Sequence, residues 1–159
     1  MSWEKENKFI PFFVADRQAS LRILRGLDIP EGKKIGIMTH ANTTDNFKNV
    51  VAEFPCSDNE YCEIIGNNCP YNKNINNCIP GQQYARKIIK ISDSGVFTKE
   101  GCMFDNYDQL FEQYDKMKVD YGIMIDYLKD KEETLRSAEL ALETYREEQR
   151  SFKLIGVAQ

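Results

Sequence analysis

Short apolar runs alternate with segments of helical period along almost the whole chain. The run Phe9-Ile10-Pro11-Phe12-Phe13-Val14-Ala15 has the length and aromatic content of a buried strand, and Pro11 sits near its start, where a missing N–H is tolerable. Residues 19–27 follow with Leu21, Leu24 and Leu27 at helical spacing and Ser20 as the expected N-cap. A second run covers Lys34 to His40, and Thr44 or Asp45 then caps a helix bearing Phe47, Val50, Val51 and Phe54, ended by Pro55. A third run, Lys87 to Ser92, precedes a polar loop and a helix over about 107–118 with Leu110, Phe111, Tyr114 and Met117 on one face. The fourth run is Tyr121 to Ile125. A long helix over 131–150 is expected to bury Leu135, Ala138, Leu142 and Tyr145, and the fifth run spans Lys153 to Ala158.

The predicted order is β-α-β-α-insert-β-α-β-α-β in one α/β domain over 1–159. Strands that alternate with helices imply parallel strands joined by right-handed crossovers. An open doubly wound sheet fits, and so does the start of a (β/α)8 TIM-type barrel. Residues 56–83 break the rhythm: they are rich in Asn, Cys, Pro and Gly and show little periodicity. A loop this long is functional or is held by something other than a core.

Composition narrows the functions. Lys and Arg number 21 against 25 Asp and Glu, a net charge of −4, and no strongly basic tract interrupts the chain. That is a poor electrostatic match to a polyanion. The apolar runs are too short to cross a bilayer, and Met1 to Lys8 has mixed charge without an apolar core, so neither membrane insertion nor a signal peptide is expected. Five cysteines, an odd number, then read as reduced thiols or metal ligands in a cytoplasmic protein.

In either architecture ligands bind at the carboxyl ends of the strands. Every apolar run ends there in a hydrogen-bonding group: Asp16, His40, Asp93 with Ser94, Asp126 and Gln159. Two or three acids on such a face can divide acid, base and nucleophile roles when their environments separate their pKa values. His40 is the single histidine; it reads either as a hydrogen-bonded strand-end residue or as a ligand contact, and no partner at metal-binding spacing is near it. The chain has no GxGxxG fingerprint after its first strand and no GxxxxGK[ST] loop, so a nucleotide cofactor is not expected. Ser94, His40 and Asp126 lack the GxSxG elbow of a serine hydrolase.

Cys56, Cys62, Cys69 and Cys78 all fall within the insert, while Cys102 lies apart. Four thiolates can bind zinc tetrahedrally or hold an iron–sulfur cluster, and a metal explains how a polar stretch without a core stays ordered. The intervening lengths of 5, 6 and 8 residues are not those of CxxC knuckles, so unligated thiols remain the alternative. Zinc is placed ahead of iron–sulfur.

Ser92-Asp93-Ser94-Gly95-Val96-Phe97-Thr98 resembles the DSGGFQ segment of the tRNA-guanine transglycosylases, with Val96 in place of the second Gly and Thr98 in place of Gln. Ile125-Asp126 is similar to that family's later strand-end Asp, and Ile155-Gly156-Val157-Ala158-Gln159 to its GIVQG segment. The stretches Phe12 to Arg17 and Met38 to Asn42 look like a divergent branch, members of which act on tRNA or on DNA. The resemblance covers most of this chain but only the first part of the family's barrel; it places the nucleophilic Asp and the family's zinc motif beyond residue 159.

What the resemblance implies is exchange of guanine for a 7-deazaguanine base through a carboxylate attack on ribose C1′. Asp93 would be the base-contacting acid or general acid/base, and Asp126 a double acceptor for purine N–H groups. Ser94 and Gly95 would line the pocket, Gln159 would donate to the base carbonyl, and Asp16 and His40 would border the base. The chain is then expected to be the N-terminal portion of a barrel, with nucleic acid docking elsewhere and a tendency to self-associate or to need a complementing chain. Two alternatives stand beside it: a complete metal-stabilised α/β interaction module using the insert and the 131–150 helix, and another small-molecule barrel enzyme using the same acids.

Overall fold

A computed structural model describes residues 9–56, 61–62, 64–95, 104 and 106–157. Five strands form one parallel sheet in the order in which they occur in the chain: β1 (Phe12–Val14), β2 (Ile35–His40), β5 (Ile88–Asp93), β6 (Tyr121–Ile123) and β7 (Lys153–Ile155). The helices α1 (Gln18–Arg25), α2 (Asp45–Glu53), α4 (Tyr107–Lys116) and α5 (Lys131–Glu147) connect them. Helix α1 packs on α2, α2 on α4 and α4 on α5, as expected when each right-handed crossover advances the sheet by one strand. The insert holds a two-residue hairpin, β3 (Tyr61–Cys62) with β4 (Gly66–Asn67), and a short helix, α3 (Ile79–Ala85). No helix among the described residues is long and apolar enough to cross a membrane.

The core lies between the sheet and this helical layer. Strand pairing sets Ile35 beside Ile88, Ile37 beside Lys90 and Thr39 beside Ser92. Side chains alternate along a strand, so these face the helices while Gly36, Met38 and His40 face away with Ile89, Ile91 and Asp93. Against the helix side pack Leu110, Phe111, Tyr114 and Met117, each fully buried. Each large side chain removed from water contributes about 1.5–3 kcal/mol. The Phe152 ring packs at a tilt on Phe111 and edge-on to Tyr114, with centroids 5.4 Å and 5.3 Å apart. The contact is close enough that a Cβ on Gly122 would stand 2.3 Å from the Tyr114 ring, so only glycine fits there.

Three expectations are corrected. Strand β1 is not buried: Phe12, Phe13 and Val14 are all exposed, because β1 is an end strand of the sheet with a neighbour on one side only among the described residues. Ser20 is not the cap of α1: Arg17 holds that position without a side-chain cap bond, and Ser20 Oγ reaches Asp16 instead, at 3.5 Å. Thr44 does cap α2, accepting from the Phe47 N–H. The largest correction is the face of α5. Leu135 and Leu142 are 55% and 45% exposed, whereas Thr134, Ser137, Ala141 and Thr144 are buried. Small side chains let the helix approach closely, and their hydroxyls find partners: Thr134 Oγ1 donates to the Tyr127 carbonyl at 3.3 Å and Thr144 Oγ1 to that of Leu140 at 3.0 Å. Of the predicted stripe, Ala138 and Tyr145 still pack against the core.

Helix α3 lies inside a stretch that carries little periodicity. It is only seven residues long, with Pro80 in its first turn and Cys78 as its cap, too short for a 3.6-residue repeat to show.

Candidate functional site

The carboxyl end of the sheet is built from the ends of β2 and β5. His40 and Asp93 are register partners on the face away from the helices. Pairing continues past both strands: Ala41 N donates to Asp93 O at 2.8 Å and Asn42 N to Ser94 O at 3.1 Å. The chain then turns at Gly95, whose φ of 74° is left-handed, and the Gly95 N–H donates to the Asp93 carboxylate. A Cβ at Gly95 would lie 2.9 Å from Asn42 Cβ and 3.0 Å from His40 Nδ1, so this turn requires glycine for both conformation and space. Asn42 Nδ2 closes the corner on Gly95 O at 3.4 Å.

His40 Nδ1 is buried and has no hydrogen-bond partner among the described residues. A hydrogen-bonded strand-end histidine is therefore not what this nitrogen is. A buried polar atom without a partner costs on the order of 1–3 kcal/mol, which a ligand or a water can offset.

Asp126 stands at the same end of the sheet, three residues beyond β6. Its approach is held by a closed ring of hydrogen bonds. Ile125 N–H donates to Tyr107 Oη at 2.9 Å, Tyr107 and Ser137 hydroxyls meet at 2.6 Å, and Ser137 Oγ donates to Ile125 O at 2.8 Å. Nothing in the spacing of Tyr107 and Ser137 announces this contact; it follows from the rotation of α5.

Asp16 follows β1, and its carboxylate is engaged locally, 3.2 Å from Arg17 Nε, which holds its pKa below the usual carboxylate value. Ser94 is buried behind the turn. Gln159, Cys102 and the segment from Val96 through Thr98 lie outside the described residues. The structure thus brings together His40, Asp93, Ser94 and Gly95, sets Asp126 along the same edge, and turns Asp16 toward its own neighbours.

No family model, curated protein or solved structure matches this chain.

The second group of chemistry-bearing residues is at the other end of the sheet. Cys56, Cys62, Cys69 and Cys78 line one cavity of about 20 Å³. Burial, and then the neighbouring thiols led by Cys78, push the Cys56 thiol up to about 11. Among the described residues no three His, Cys, Asp or Glu side chains are already gathered at metal-coordinating separation. The insert is anchored beside the end of α1: Arg25 donates to Pro55 O at 2.7 Å and to Cys56 O at 2.8 Å, and Tyr84 Oη donates to Leu24 O at 2.5 Å.

Lys90 was not anticipated as a buried cation, although a lysine inside Ile88-Ile89-Lys90-Ile91 is the signal that could have found it. Its Nζ donates to Val51 O at 2.8 Å and Ala52 O at 3.3 Å, carbonyls of the last turn of α2. Burial lowers its pKa to about 8, against the raising influence of Asp120.

Proposed function

We propose that this chain forms the base-binding beginning of a transglycosylase-like (β/α)8 barrel, recognising guanine or a 7-deazaguanine base for exchange in tRNA or DNA. Strands in sequential order with a single helical layer support the barrel reading, because doubly wound sheets reverse their order to place helices on both faces. The observation that carries the site is the juxtaposition of Asp93 with His40 Nδ1 at the strand ends, locked by the Gly95 turn. In this proposal Asp93 contacts the base as an acid or general acid/base. Asp126 accepts two purine N–H bonds, Ser94 and Gly95 line the pocket, and Gln159 donates to the base carbonyl. No residue of this chain matches the family's nucleophile, so the proposal for it is recognition of the base.

The test is calorimetric titration of the chain with guanine and with 7-deazaguanine. Saturable binding is expected, weakened roughly 10- to 100-fold by Asp93→Asn or Asp126→Asn, the loss of one charge-assisted hydrogen bond or two. A folded, monodisperse chain that binds neither base would overturn the proposal.

One observation favours a second reading, a protein-interaction module. On α5, Leu135 and Leu142 lie two turns apart and are 55% and 45% exposed, with Leu140 beside them 52% exposed. Such a stripe fits a partner helix. Absence of base binding, together with a cooperative thermal transition, would shift weight to it.

A further inference from the structure

The four insert cysteines stand at four different elements. Cys56 follows α2, Cys62 is in β3, Cys69 follows β4, and Cys78 caps α3. All four line the same cavity. Around them the wall is mostly apolar, with Pro55, Ile64, Ile65 and Ile75, and is completed by Gly81, Asn74 and Lys73. Cys78 is buried, and its Sγ already accepts the Gly81 N–H at 3.2 Å, the kind of bond that stabilises a thiolate. A Cβ at Gly81 would stand 3.0 Å from that sulfur, so a small residue is needed for the approach.

Regular structure in the insert is short among the described residues. Its strands are two residues each, and Asn68, Asn72 and Lys73 adopt left-handed backbone. Short polar segments of this kind depend on a staple.

We propose that Cys56, Cys62, Cys69 and Cys78 bind a single zinc ion as a tetrathiolate, and that this centre is structural. A single zinc ion is favoured over an iron–sulfur cluster because four thiolates complete its tetrahedral shell with no inorganic sulfide to supply. On binding, the four thiols release their protons and the sulfurs draw in to Zn–S distances of about 2.3 Å. The turn-rich insert makes that contraction cheap, and Lys73 offsets part of the dianionic charge. Position assigns the role. Helix α1 begins after the carboxyl end of β1 and leads back toward the start of β2, so the insert beside Arg25 lies at the opposite end of the sheet from Asp93. The zinc therefore ties the insert to α1 and α2 and touches no base.

The experiment is metal analysis of the purified full chain together with thiol titration. Expected are about one zinc per chain, no stoichiometric iron or acid-labile sulfide, and four additional reactive thiols once the chain is denatured with chelator. Replacement of zinc by cobalt should give the ligand-field and charge-transfer spectrum of a tetrahedral tetrathiolate. Cys69→Ser should lose the zinc and lower Tm; the native chain's metal content decides the matter even where that variant does not fold. Metal-free native protein with four titratable insert thiols would overturn the proposal, and so would iron with sulfide. Base titration is a separate readout, so failure here leaves the strand-end site untouched, and the reverse.

Discussion

Residues in the interior of the apolar runs carry as much information as those at their ends. Lys90 occupies the centre of β5 and faces the helices, where its ammonium caps the last carbonyls of α2. The unfolded chain holds that proton with the ordinary pKa of 10.5, and the folded chain releases it near 8. Between those values the unfolded state binds more protons, so stability rises with pH. Relative to Lys90→Met, the parent chain is expected to gain up to roughly 1.4 kcal/mol per pH unit across that window, measured by denaturant unfolding at each pH. Parallel profiles for the two proteins would mean that Lys90 titrates as it does in water. At the strand ends, by contrast, polar residues were legible as such from the sequence. What the sequence did not contain is that His40 Nδ1 is covered by the Gly95 turn and left without a partner.

Among the elements, α4 and α5 form an instructive pair. The aromatic and aliphatic face of α4 is buried as its pattern predicts. Helix α5 has leucines and small hydroxyl residues at competing helical spacings, and the small ones win. Close packing, plus three hydroxyls with satisfied hydrogen bonds, outweighs the burial of two leucines that a rotated helix would hold farther from the sheet. Ser137→Ala strands the Tyr107 hydroxyl and the Ile125 carbonyl and is expected to cost about 2 kcal/mol, whereas Leu135→Gln should stay within about 0.5 kcal/mol. Thermal or chemical unfolding of both variants checks the ranking; the reverse order would restore the leucine stripe to the core. Ser137→Ala should also loosen Ile125 and Asp126, which ties an ordinary core position to the candidate site.

Over the whole molecule, a sheet with its helices in one layer leaves its second face without a covering element among the described residues. Phe12 and Val14 on that face are 43% and 71% exposed, and Met38, Ile91 and Ile123 are only partly covered. Apolar surface of this extent favours association. Sedimentation over a range of concentrations is expected to show self-association that Phe12→Lys combined with Val14→Lys reduces. A monomer at all concentrations would mean that this face is tolerated in water as it stands.

Sequence alone determined the alternation of strand and helix, the parallel sheet it implies, the polar strand ends and the cysteine-rich insert. All of these follow from local periodicity and from residue types that water treats differently, which a single chain displays without any partner. Strand order, the face that α5 buries, the pairing of His40 with Asp93 and the gathering of four cysteines around one cavity were decided only in three dimensions. Each depends on contacts between residues far apart in the chain, where close packing and hydrogen-bond satisfaction choose among patterns that are locally equivalent.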